Sequence, residues 1–135
     1  MNLYEDLVQY QEQLIDHKIG AKLVISEELK AVRLPIDQER KIEIFDLLII
    51  YFSRKFEGQK MIQLNFNLEV KKGKCIIIIK PQTNYKADAS VVHQEFFWTM
   101  HLIFNNLLKT KETKIWGNFV KDKFRLQLPL WCMAA

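Results

Sequence analysis

Three histidines, at positions 17, 93 and 101, are the side chains in this sequence best suited to metal binding or proton transfer. His93 and His101 lie about two turns apart on a predicted helix, whereas two metal ligands on one helix face usually follow an i, i+4 spacing. This spacing argues against a metal site. His93 lies near the start of that helix and is followed closely by Glu95, so it is either a phosphoacceptor in a relay or an ordinary helix histidine.

Other common catalytic constellations are missing from the sequence. It contains no G-x-S-x-G nucleophile motif and no glycine pattern of the Walker or Rossmann type. Cys75 lies in an apolar run and Cys132 lies near the end of the chain, so neither is placed as a nucleophile. Asp37, Glu39 and Glu43 cluster at a predicted helix start, where acids favour the helix dipole. We expect no metal and no cofactor, and these absences argue against an enzyme without excluding one.

The composition is that of one globular domain. The chain has 135 residues, of which 49% are hydrophobic and 27% are charged, and its net charge is +4. With two cysteines, no CxxC spacing, no signal peptide and no long apolar run, we expect a cytoplasmic protein without a membrane span. The modest basic excess makes nucleic-acid binding an alternative. The lysines that would carry it are Lys109, Lys111, Lys114, Lys121 and Lys123.

The N-terminal segment 1–18 is predicted to be a helix that docks on something. Leu3, Leu7, Tyr10 and Leu14 follow a 4, 3, 4 spacing, which places them on one seam. A helix this short is marginal alone, so the seam packs either on the domain's own core or on another chain. A single domain at 19–131 and a tail at 132–135 complete the predicted organisation.

The remaining pattern predicts helices interleaved with antiparallel hairpins. Apolar residues alternate with polar ones over 62–70, and a turn containing Gly73 joins this strand to an apolar strand. This order predicts an α+β fold, a two-layer sandwich with a mixed, mostly antiparallel sheet and helices on one face. The predicted elements are a strand at 22–26, a helix at 37–56, a hairpin at 61–80, a helix at 91–108, and strands at 114–120 and 124–128.

This order resembles the ATP-binding domain of sensor histidine kinases, a fold shared with gyrase-type and Hsp90-type ATPases. Leu34-Pro35-Ile36-Asp37, followed by Arg40 and a long helix, is similar to the family's entry into its asparagine-bearing helix. Lys114-Ile115-Trp116 and the later Phe124-Arg125-Leu126-Gln127-Leu128-Pro129 are similar to its closing hairpin. The resemblance covers about residues 20–130.

The departures from that family concern the nucleotide. The resemblance implies two asparagines that hold Mg²⁺ and phosphates, but the best-aligned positions are Leu48 and Phe52, which cannot coordinate a hard cation. Where the family has an aspartate and glycines after the hairpin, this chain has Lys80-Pro81-Gln82-Thr83-Asn84. The lid segment is short and contains no glycine. The resemblance therefore implies a degenerate domain that keeps the fold and does not bind ATP.

These observations lead to a hypothesis of a non-catalytic signalling or regulatory module that binds a protein. A response regulator or a kinase is the candidate partner, and a homodimer is a candidate assembly. The alternatives are a histidine phosphotransferase that uses His93 with Glu95, and a nucleic-acid-binding module. The residues expected to contact the partner are Leu3, Leu7, Tyr10, Leu14, Phe97, Trp98 and Trp131.

Overall fold

The computed structural model contains three α-helices and five β-strands. The residues that it describes are 1–14, 20–55, 61–82, 92–109, 115–120 and 123–133. The helices are α1 (Leu3–Leu14), α2 (Gln38–Lys55) and α3 (Val92–Leu108), and a short 3-10 helix spans Glu27–Ala31. The strands are β1 (Ala21–Ile25), β2 (Ile62–Lys71), β3 (Lys74–Pro81), β4 (Trp116–Val120) and β5 (Lys123–Pro129). Among the described helices, none has the length and apolar character that crossing a membrane requires.

The five strands form one sheet in the order β1-β2-β3-β5-β4. β1 pairs with β2 in parallel, and the other three pairings are antiparallel. Between β2 and β3, Lys72 and Gly73 both have positive φ, at 48° and 75°. Such a turn matches the right-handed twist of the strands that it joins. The predicted mixed, mostly antiparallel sheet and its tight turn are therefore confirmed.

One face of the sheet carries the hydrophobic core. Ile62, Leu64 and Phe66 of β2 are buried there and alternate with residues that point to the opposite face. The buried apolar residues of all three helices belong to the same core cluster, so the described helices lie on one face. This confirms the predicted two-layer arrangement. On the opposite face, Ile76 of the central strand β3 is only 3% exposed and lies outside that cluster.

Helix α1 belongs to this core. Its seam residues Leu3, Leu7, Tyr10 and Leu14 are 2%, 0%, 4% and 5% exposed, in the same cluster as the buried face of α2. The structure therefore favours the first of the two predicted alternatives, packing on the domain's own core. The predicted contact of these four residues with a partner stays a prediction, and it would require α1 to leave its own domain.

Gln11 joins α1 to the edge of the sheet. Its side-chain oxygen accepts a hydrogen bond from the backbone N of Leu23 at 2.6 Å, and its nitrogen donates to the backbone O of Ala21 at 3.3 Å. Both backbone groups belong to β1, the edge strand. One side-chain amide thus takes the place of a neighbouring strand at this edge.

Two polar contacts join α1 to α2. Lys41 Nζ donates to Asp6 Oδ2 at 2.9 Å, and both side chains are almost completely buried. Tyr10 donates its hydroxyl hydrogen to Asp46 Oδ1 at 2.6 Å. Burial, followed by this hydrogen bond, raises the pKa of Tyr10 far above its ordinary value, so the phenol stays a donor throughout the physiological range.

The end of the described chain is also part of the fold. Val32 and Met133 form an isolated antiparallel bridge, and the backbone N of Arg33 donates to the carbonyl of Cys132 at 2.8 Å. Cys132 is 3% exposed. The sequence predicts a tail from residue 132, but these backbone hydrogen bonds attach residues 132 and 133 to the segment before α2. Residues 134 and 135 lie outside the described part of the chain.

Removing Asp6 is expected to destabilise the protein strongly. Asp6→Ala leaves the Lys41 ammonium buried without its partner, and we expect the free energy of unfolding in urea to fall by about 3–5 kcal/mol. The matched control is Glu27→Ala, which breaks the exposed Lys30–Glu27 pair at 3.6 Å and should cost less than about 1 kcal/mol. Similar losses for both variants would contradict a special role of the buried pair.

Gly117 of β4 is expected to be required because the ring of Phe124 leaves no room for a side chain there. A Cβ at this position would overlap the ring of Phe124, so Gly117→Ala should lower the free energy of unfolding by about 1–3 kcal/mol. The loss should largely disappear in a Phe124→Leu background, where the smaller side chain leaves room for the methyl group. If the two substitutions act additively in a double-mutant cycle, steric overlap is not the cause.

Candidate functional site

The helix that the resemblance assigns to nucleotide binding begins at a side-chain cap. Asp37 Oδ1 accepts a hydrogen bond from the backbone N of Arg40 at 2.9 Å, which satisfies one of the free amides in the first turn. Arg40 also donates to the carbonyl of Lys109 at 2.8 Å, so the start of α2 is attached to the end of α3. The cap agrees with the helix start that the sequence predicts from Pro35 and Asp37.

The two positions aligned with the family's asparagines both face the core. Leu48 is 1% exposed and Phe52, one turn later, is 0% exposed. Neither side chain carries an oxygen or nitrogen atom. The face of α2 that would meet a metal-bound phosphate therefore presents hydrocarbon to the interior.

A group of rings fills the space between α2, α3 and the hairpin of β4 and β5. We call Tyr51, Phe52, Phe104, Phe119 and Phe124 the aromatic cluster. The ring centroids of Tyr51 and Phe119 are 3.9 Å apart, those of Phe119 and Phe124 are 4.8 Å apart, and those of Phe104 and Phe124 are 4.9 Å apart. These separations are those of rings in direct contact, so the space below α2 is occupied by side chains.

Polar groups suited to a metal are scarce in this part of the molecule. Over the described ranges, no three His, Cys, Asp or Glu residues come close enough together to hold a metal ion. On α2, the Oγ atom of Ser53 is buried and has no hydrogen-bond partner among those residues. A single hydroxyl does not form the oxygen cage that Mg²⁺ requires. Of the loop predicted at 81–90, residues 83–90 lie outside the described part of the chain.

The two thiols are unsuited to nucleophilic chemistry. Cys75 and Cys132 are free and buried. Burial, with a smaller contribution from Cys132, raises the pKa of Cys75 to about 11. Burial also raises the pKa of Cys132. Both groups are therefore protonated at neutral pH, which is the unreactive form of a thiol.

The residues of the phosphotransfer alternative are only partly described. His93 and Glu95 lie in the first turn of α3, and the structure describes their backbone but not their side chains. His101 is half-buried further along the same helix. The role of His93 as a phosphoacceptor therefore remains a prediction from the sequence.

Two tryptophans expected at a partner surface are exposed. Trp98 of α3 is 65% exposed, and Trp131 is 62% exposed. The side chain of Phe97 lies outside the described residues. Trp98 shares its helix face with Leu102, which is 69% exposed, and with Ile103, which is 38% exposed. We call Trp98, Leu102 and Ile103 the α3 face. The α3 face contains no charged residue. Of its three members, only Trp98 is predicted from the sequence as a partner contact.

Trp131 borders a depression near both ends of the described chain. The depression has a volume of about 540 Å³ and is lined by Arg33, Lys41, Trp131 and Cys132 together with three apolar residues. Lys41, its most deeply buried cation, is already paired with Asp6. Of the two cations in this lining, only the exposed Arg33 is without an ion pair among the described residues.

The lysines predicted to bind nucleic acid are not brought together in the described part of the chain. Lys109 is exposed at the end of α3, on the helical side of the molecule, whereas Lys123 begins β5 and points to the opposite side of the sheet. Lys111, Lys114 and Lys121 lie outside the described residues. The structure brings other cations together on the sheet face opposite the helices, a grouping that was not predicted from the sequence.

Comparison with known proteins gives matches of structure alone. No protein-family model and no curated protein matches the sequence. The nucleotide-free catalytic domain of histidine kinase ThkA matches with a TM-score of 0.50 and 12% identity, over 93% of this chain and 87% of that one. Histidine kinase ThkA in complex with response regulator protein TrrA matches with a TM-score of 0.51 and 14% identity, over 96% of this chain and 40% of that one.

A third solved structure, Acinetobacter baumannii histidine kinase AdeS, matches with a TM-score of 0.43 and 15% identity, over 93% of this chain and 61% of that one. At such identities a likeness concerns the path of the backbone and not the chemistry of the side chains. The two ThkA matches span 93% and 96% of this chain, so the likeness extends over nearly all of its elements. The chain therefore has the fold of a histidine kinase catalytic domain.

Proposed function

We propose that this chain is a non-catalytic signalling module that keeps the fold of a histidine kinase catalytic domain, does not bind ATP and acts by binding a protein. The observation that carries the proposal is the burial of Leu48 and Phe52, at 1% and 0% exposure, where the resemblance places the two asparagines. A triphosphate with Mg²⁺ needs oxygen ligands and donors to offset its loss of hydration. These two side chains provide neither.

The aromatic cluster strengthens this argument, because making space for a ligand among its rings would cost free energy. Phe52, Phe104 and Phe124 are each 0% exposed, and each contacts at least one other ring of the cluster. Removing one such ring from a core typically costs about 3–5 kcal/mol. A ligand that displaced these rings would lose that free energy before it gained any contact. This packing supports the proposal that no nucleotide is held among these rings.

The α3 face supports a role in protein binding. Trp98 and Leu102 are spaced i, i+4, so they lie side by side on the helix, and Ile103 extends the same surface. Contiguous exposed apolar side chains of this size mark interaction sites more often than ordinary surface. Tryptophan is also the residue type most enriched among those that dominate binding energy. A response regulator or a kinase is the proposed partner, in keeping with a fold shared with ThkA, which has been crystallised with a response regulator.

The proposed loss of nucleotide binding is tested by calorimetry. We expect no saturable heat when ATP and Mg²⁺ are titrated into the protein, because Leu48 and Phe52, at the two positions where the resemblance places metal ligands, offer none. We also expect no increase in melting temperature at millimolar ATP, since only a ligand that binds the native state stabilises it. A histidine kinase catalytic domain is the positive control. A saturable isotherm with one nucleotide per chain would contradict the proposal.

The proposed partner surface is tested with purified receiver domains and kinases from the organism that encodes this chain. We expect at least one of them to bind, and Trp98→Ala to weaken that binding by at least about tenfold. The matched control is Trp116→Ala, which removes an exposed indole from the opposite side of the sheet and should leave binding unchanged. Binding that resists Trp98→Ala would exclude the α3 face, and a panel without any binder would contradict the choice of partner class.

A further inference from the structure

The face of the sheet opposite the helices collects positively charged side chains. The register fixes this arrangement, because five of these residues alternate along their strands with a buried neighbour such as Leu23, Ile79 or Phe124. The sixth, Lys71, is the cross-strand partner of Lys74 and so points to the same side. We call this group the basic sheet face. It consists of Lys22 on β1, Lys71 on β2, Lys74 and Lys80 on β3, and Lys123 and Arg125 on β5.

This face holds the whole basic excess of the chain. The sequence has 20 basic and 16 acidic residues, a net charge of +4. Six of the basic residues lie on this face, and Glu69 of β2 is the one acid that the described strands place there. The remainder of the chain is therefore close to neutral. A uniform surface would have spread the excess charge over every side of the molecule.

Glu69 neutralises little of this charge. It pairs with Lys71 at 2.8 Å, on its own strand. The pKa of its carboxyl group is lowered, first by the hydrogen bond from Lys71 and further by the charges of Arg125 and Lys123. The other five cations form no ion pair with any described residue. They are therefore available to a negatively charged partner.

One corner of the basic sheet face, at the edge strand β4, suits a ligand with flat, polar rings. Trp116 of β4 is 44% exposed and borders a depression of about 330 Å³ that also involves Gly73, Lys74 and Gln127. Five carboxamide side chains lie on the same sheet face, two of them beside Trp116 and three on β2. They are Asn118 and Gln127, and Gln63, Asn65 and Asn67. The Oδ1 atom of Asn118 is buried and has no hydrogen-bond partner among the described residues.

We propose that the basic sheet face binds single-stranded nucleic acid, with the cations on phosphates, the Trp116 indole stacked on a base and the carboxamides on base edges. Proteins that bind single strands combine a positive surface with aromatic stacking in this way. The strand spacing makes the sheet about 19 Å wide, enough for several nucleotides. An acidic protein is the less favoured occupant, because lysine is depleted at protein interfaces and five of these six cations are lysines.

The test measures the fluorescence anisotropy of a labelled oligothymidylate of about 15 nucleotides as the full chain is added. We expect binding whose affinity falls with salt, with a slope of log K against log salt of about −3, since each neutralised phosphate contributes about −0.7 for a single strand. We also expect a duplex of the same length to bind more weakly, because its bases are not available to Trp116. Absence of binding at low salt would overturn the proposal.

Two matched pairs of variants locate the site. Lys80→Glu with Arg125→Glu should weaken binding by at least about tenfold and make the salt slope shallower. The control combines Lys109→Glu with Arg33→Glu, which changes the net charge equally at exposed positions off the basic sheet face and should have a much smaller effect. If the control pair weakens binding as much as the first pair, either net charge or a different site is responsible, and the proposal fails.

Trp116→Ala separates nucleic acid from a generic polyanion. We expect this variant to bind the oligonucleotide about tenfold more weakly and Trp98→Ala to bind it like the wild type. Polyglutamate of equal charge should bind more weakly than the oligonucleotide and should not respond to Trp116→Ala. Tighter binding of polyglutamate would instead identify an acidic protein as the occupant. These results do not depend on ATP or on the α3 face, so this proposal and the proposed function can fail separately.

Discussion

The contact among aromatic rings that joins α2 and α3 to the hairpin of β4 and β5 is the interaction on which the rest of this structure depends. Phe52, Phe104 and Phe124 are fully buried, and Gly117 lacks a side chain at the point where the ring of Phe124 lies. Because cores are packed as densely as organic crystals, displacing any of these rings would cost the contacts that hold the helical layer to the sheet. The exposed surfaces on which binding is proposed, the α3 face and the basic sheet face, lie outside this packed region.

Much of this architecture could be predicted from local patterns. The alternation at 62–70 and the apolar residues of α2 each have a period that only one type of element satisfies, and Asp37 caps α2 as its position predicts. The burial of Leu48 and Phe52 follows from the same periodicity. Such features depend on residues close together in sequence, for which the physical rules are simplest.

The surfaces could not be predicted in the same way. The seam of α1 is equally suited to its own core or to another chain, and only the position of the helix against α2 decides between them. The buried ion pair of Asp6 with Lys41 joins residues far apart in the sequence. Likewise, each strand shows which of its residues point outward, but Lys80 and Arg125 become neighbours only because β5 inserts between β3 and β4. Which charged residues share a sheet face therefore depends on the order of the strands in the sheet.

The Gln11 amide limits how the sheet can grow. By hydrogen bonding to Ala21 and Leu23, it occupies the backbone groups through which β1 would otherwise recruit a further strand. At the other end, no described strand lies beyond β4. Pairing of another strand with β1 would first require Gln11 to release these backbone groups, so this edge is a poor template for edge-to-edge aggregation.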